Sequence, residues 1–163
     1  MMTDMIIGLM AAFTGVGISI YVHFFGLRTL AWWVQHRQPP VRKPLLLVMF
    51  VAFSLHVVEV LIFSFIFALC ELGGFGELQG AVYGGTGWFI DHFYFSIASY
   101  TTLGLGDIVP HGAIRMIAGV EALVGLVLVA WSASFTYLMM ERLWADRMPV
   151  MTETEVERER DGE

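Results

Sequence analysis

Residues 88–107 read WFIDHFYFSIASYTTLGLGD, and the fold turns on this stretch. Its first fifteen residues are apolar and aromatic but make only about half of a membrane span, which needs roughly 20 residues to cross ~30 Å of hydrocarbon. LGLGD follows at once and puts Gly104 and Gly106 where no transmembrane helix would carry them. A short apolar helix that stops in a glycine-bearing loop has the shape of a re-entrant segment. Irregular backbone at membrane depth is tolerated only where protein buries it or where it lines a watery path. The stretch therefore predicts a pore loop.

A dehydrated monovalent cation needs a ring of oxygens in place of its water, and a tight backbone supplies them when consecutive carbonyls face one axis. Alternate residues must then reach conformations open to glycine, which accounts for Gly104 and Gly106. Leu103 and Leu105 are expected to turn away from the axis and pack behind the loop, with Thr102 adding a hydroxyl at the inner end. Asp107 ends the loop, where its charge would concentrate cations at the outer mouth. It is expected to bond either Tyr94 or a backbone amide.

Outward from the loop lie apolar runs at 5–27, 45–69 and 113–140, each long enough to span a bilayer. The 163 residues are 57% hydrophobic and 15% charged, and mean hydropathy is +0.70, so an ordinary soluble domain is excluded. The expected class is an all-α membrane protein of three transmembrane helices with a re-entrant pore helix and filter loop. Residues 1–36 form a leading helix, 37–44 a corner stiffened by Pro39, Pro40 and Pro44, 45–140 the pore domain, and 141–163 an acidic tail, read as disordered. Residues 71–87 are glycine-rich and read as loop and turn. The start, MMTDM, has no basic region or cleavage signal, so the first helix is expected to be retained. Arg28, Arg37, Arg42 and Lys43 flank the first corner, and Arg142 and Arg147 follow the third run. The positive-inside rule then puts the amino terminus outside and the carboxyl terminus in the cytoplasm. The single Cys70 allows no intramolecular disulfide, which leaves a buried thiol or a bridge between subunits.

TTLGLGD at Thr101–Asp107 resembles the potassium-channel pore family, which has TTVGYGD there after an aromatic-rich helix. The resemblance covers residues 45–140 and leaves the leading helix outside; the whole layout is similar to small bacterial channels. It implies a homotetramer, since one loop per chain cannot surround an ion. It also implies passive conduction of K+ through Thr102, Leu103, Gly104, Leu105 and Gly106, in a bacterial inner membrane. Leu105 departs from the family's tyrosine and loses its hydroxyl, and Ala98 stands where some members place a glutamate. Potassium selectivity is expected, with weaker selectivity among monovalent cations as the alternative. Gly125 matches the family's hinge glycine within a residue, Gly119 is the nearby competitor, and helix packing explains either equally. A non-conducting membrane scaffold that binds a partner is the rival function. No catalytic activity and no cofactor are expected, no metal beyond a monovalent cation in the filter, and no partners beyond lipid and further copies, nucleic acid included.

Within the spans, His23, His56, Glu59 and Glu121 are ionisable groups that cost several kcal/mol at mid-bilayer unless paired. His56 and Glu59 share a helix face, and two residues fall short of a metal site. An interhelical hydrogen-bond network with Glu121 as a partner is the expectation, a pH-sensing role the alternative. His92 and His111 bracket the pore helix and filter, where protonation would set positive charge near the cation path.

Overall fold

The computed structural model describes residues 2–37, 44–80 and 88–145. Four helices, α1 (Met2–Arg37), α2 (Pro44–Leu72), α3 (Trp88–Tyr100) and α4 (Ile114–Ala145), are joined by two short strands, β1 (Gly76–Gln79) and β2 (Val109–Gly112). Three helices are long and apolar enough to cross a membrane, over Met5–His36, Leu45–Leu72 and Ile114–Leu143. At 13 residues and 1.5 Å per residue, α3 is about 20 Å long and cannot span. The expected class holds: three membrane helices are joined by a short helix that enters without crossing and packs between α2 and α4.

The buried face of α1 is a stripe at helical spacing, Gly8, Ala12, Gly15, Ser19, His23, Leu27, Leu30 and Val34. Burial from water does not drive helices together inside lipid, so close packing must. The small residues provide it: a Cβ on Gly8 would stand 2.7 Å from the Ala113 carbonyl, and one on Gly15 would meet Phe63 and Ile66. Pro44 opens α2 at the first helical position, where a missing N–H removes no bond. At the other end the N–H groups of Gly74 and Phe75 return to the carbonyls of Glu71 and Cys70, with Gly74 left-handed at φ 71°; this is a Schellman stop.

The glycine-rich connection is not all loop. β1 pairs antiparallel with β2, Gly76 opposite Gly112 and Gln79 opposite Val109. The strand before α3 is thus joined to the strand after the pore loop, and the pairing holds the two ends of the re-entrant unit together. Residues 38–43 of the proline corner, residues 81–87, and residues 146–163 of the acidic tail lie outside the described residues. The first five residues assigned to that tail continue α4 to Ala145.

Two apolar clusters hold the bundle. One packs Phe63, Phe67, Ile114, Ile117 and Leu128 around Phe95 of α3 and Ile108 beyond the loop. The other joins Leu30, Val34, Val48 and Met139 further along the long helices. Between them lies a layer of polar side chains. Cys70 is enclosed in the first cluster, in the chain's own core.

Candidate functional site: the pore loop and the polar layer behind it

The loop begins where α3 ends. Thr102 N–H bonds to the Ser99 carbonyl at 3.0 Å and Leu103 N–H to that of Ala98 at 2.9 Å, the same stop as that of α2. Its left-handed residue is here Thr102, at φ 57°. A residue with a Cβ pays about 1–2 kcal/mol for that conformation, so the surrounding bonds must hold it. Gly104 at φ 56° and Gly106 at φ 80° follow, while Leu103 and Leu105 between them keep negative φ. Alternation of handedness turns successive peptide planes so that their carbonyls can face one side.

At the outer end the Tyr94 hydroxyl donates to Asp107 Oδ2 at 2.7 Å, and Ile108 N–H reaches Asp107 Oδ1 at 3.1 Å. Both expected partners of Asp107, the phenol and a backbone amide, are engaged. The Tyr94 bond holds the carboxyl below the usual carboxylate range, against a smaller opposing effect of desolvation. Tyr94 is raised in turn, first by that bond, then by desolvation and by the charge of Asp107. Leu103 and Leu105, expected to pack behind the loop, do not do so within one chain, where they stand 60% and 57% exposed. A single chain has nothing on that side for them to meet.

Behind the inner end, Glu59 is completely buried. Its Oε1 lies 2.7 Å from His23 Nδ1, and its Oε2 lies 3.1 Å from His56 Nδ1 and accepts a very short bond from the Tyr100 hydroxyl. The Ser132 hydroxyl meets the other nitrogen of His23, Nε2, at 3.2 Å. His23, His56, Glu59 and Ser132 all lie within four residues of the midpoints of their spans, or about 6 Å along the helix axis. Glu121 does not join this group; its Oε1 lies 2.5 Å from Ser96 Oγ, which also reaches the Val60 carbonyl at 2.9 Å.

The ligand atoms of His23, His56 and Glu59 all lie within 4.8 Å of one another, so the structure supplies the third group that sequence did not. Two donors on a tetrahedral ion with bonds of 2.0–2.1 Å would stand about 3.3 Å apart. The 2.7 Å between His23 and Glu59 is instead the separation of a hydrogen bond. A carboxylate only accepts, and here three donors converge on it.

Gly125 is pressed against the end of α3, and a Cβ there would stand 2.2 Å from the Tyr100 carbonyl; at Gly119 a Cβ would meet nothing within 4 Å. His92 is buried with Nε2 2.6 Å from Glu71 Oε2, and exposed His111 bonds Gln79 across the ribbon at 2.9 Å. Sequence reasoning missed Tyr100, Ser96 and Ser132. The signal for Tyr100 was a phenol on the last turn of an apolar helix, where its hydroxyl needs a partner.

A protein family described as ion channel matches residues 55–142, more than half of the chain. The chain belongs to the ion channel family. Comparison of this channel with curated proteins and with solved structures gives no match. The matched region runs from α2 through α3 and the loop to α4, and it leaves α1 and His23 outside.

Proposed function

We propose that the chain is one subunit of a homotetrameric, potassium-selective channel that conducts passively, with four copies of the loop facing a common axis. Thr102, Leu103, Gly104, Leu105 and Gly106 form the filter in this reading, and Asp107 sits at its outer mouth. The observation that carries it is the alternation of left-handed Thr102, Gly104 and Gly106 with Leu103 and Leu105, which suits a row of carbonyls that replaces a cation's water. The exposure of both leucines fits a neighbouring subunit that packs against them. The carboxyl end of α3, with its partial negative charge, would favour a cation below the filter. The distribution of arginine and lysine supports an amino terminus outside and a carboxyl terminus in the cytoplasm, and the likeness of the layout to small bacterial channels supports a bacterial inner membrane.

The test is ion flux from liposomes that carry the purified protein, first under a potassium and then under a sodium gradient, with Gly104→Asp as the control. Potassium flux well above sodium flux, abolished by the substitution, is the expected result. Equal fluxes would keep the pore and withdraw selectivity. No flux under either gradient, with membrane tension and pH varied, would favour a channel-like scaffold.

A further inference from the structure

We propose that the polar cluster of His23, His56 and Glu59 positions the pore loop, acting through the Tyr100 hydroxyl to fix the last turn of α3 and the left-handed turn at Thr102. The inference rests on the filter reading for its functional consequence and on the geometry alone for its mechanical one. Tyr100 stands two residues before Thr102 and is held on two sides. Its hydroxyl bonds Glu59 and lies 2.8 Å from His56 Nδ1, and its carbonyl lies against Gly125 of α4. Glu59 is held in turn by His23 of α1, and His23 by Ser132 of α4. Every helix of the bundle thus contributes to one point.

Apolar side chains of the same volume would fill this space as well, and lipid would not oppose them. The polar groups add direction, because hydrogen bonds fix an angle where dispersion contacts only fix a distance. They set the rotation of α3 about its own axis, and that rotation decides where the loop leaves the helix. The outer end of the loop is tied in the same way, by the Tyr94–Asp107 bond. One tyrosine–carboxylate bond therefore brackets the loop at each end. The inner one brings in α1, which lies outside the matched channel region, as a working part of the pore.

Two readouts on Tyr100→Phe, Glu59→Gln and the double variant test this, with Ser54→Ala as a control whose hydroxyl bonds only the Phe50 carbonyl of its own helix. The first is amide exchange of Leu103 and Gly104, whose N–H groups bond the Ala98 carbonyl. Loss of a hydrogen bond to a charged group should speed exchange there by on the order of tenfold in each single variant. The double variant should be no faster than either, as for residues that act as a unit. The second is the ratio of potassium to sodium flux, expected to fall in the same variants and to hold in the control; a purely structural role would lower both fluxes together. Unchanged exchange, additive effects, or an unchanged flux ratio in a selective wild type would each overturn the proposal. A wild type that does not discriminate between the cations would withdraw the filter reading, and exchange would still decide the positioning role. Should Tyr100→Phe not fold, Ser132→Ala removes only the outermost bond; faster exchange at Leu103 and Gly104 supports the proposal, and none overturns it.

Discussion

Thr102 is a β-branched residue in a conformation that glycine takes more easily, and the loop turns on it. Gly104 occupies the same left-handed region, and a Cβ there would meet nothing within 4 Å in the single chain, so its requirement is one of backbone conformation. Gly104→Ala is expected to destabilise the loop by about 1–2 kcal/mol and to reduce flux, read as thermal stability and liposome flux on the same preparation. Asp107 carries a pH prediction whose sign follows from its partner. Its native carboxyl ionises below the ordinary value of about 3.9, chiefly because Tyr94 bonds the charged form. The contribution of that bond is complete above the ordinary value and is lost only as pH falls through the lower native one. In Tyr94→Phe the acid limb of a flux–pH curve should therefore move up, toward the ordinary carboxylate value. An unmoved limb would mean that the bond does not govern the outer mouth. The left-handed backbone at Gly104 and Gly106 and the Tyr94–Asp107 bond were legible in the sequence, because alternate glycines after a helix announce such a backbone and a carboxylate at its end needs a donor. The left-handed Thr102 was not, since nothing in a threonine announces it.

At the scale of elements, α4 is unbroken from Ile114 to Ala145, and its two glycines differ in surroundings. Gly125→Ala would drive a methyl into the Tyr100 carbonyl, and overpacking of this kind typically costs about 1–3 kcal/mol. Gly119→Ala meets nothing within the chain and should leave stability level or raise it by up to about 1 kcal/mol through helix propensity. Thermal unfolding in detergent separates the two, and equal effects would remove close packing as the reason for Gly125. The long helices were legible from hydropathy alone, and α3 from its length. The ribbon was not, because β1 finds its partner in β2 on the far side of the pore loop, and a four-residue strand has no local pattern that names so distant a partner. A polar network between the helices was expected from the ionisable groups in the spans, but the same limit hid its membership, since Tyr100 joins it and Glu121 bonds Ser96 instead. His56 and Glu59 share a helix and could be paired by spacing, whereas His23 and Tyr100 reach Glu59 from other helices, and no periodicity within one helix reports that.

At the scale of the whole molecule, one chain leaves Leu103 and Leu105 uncovered, and the filter reading requires other copies to cover them. Mass measurement in detergent, corrected for bound lipid, should give four times the 18.3 kDa of one chain; a monomer or dimer as the only species would contradict that assembly. The order in which the helices meet has a further consequence for how the protein is made. Gly8 of α1 is seated on Ala113, at the threshold of the last helix, and Ser132 holds His23 from deeper in it. At about 5–20 residues per second, the ribosome needs several seconds or more to deliver those partners after α1 emerges. Throughout that interval α1 can pair only with α2, Gly15 against Phe63 and Ile66 and His23 against Glu59, while Gly8 and the far side of His23 lack the partners that α4 brings. The seat of α1 is thus completed last, by the part of the chain made last, and a substitution at Gly8 or Ser132 acts on the closing step of assembly.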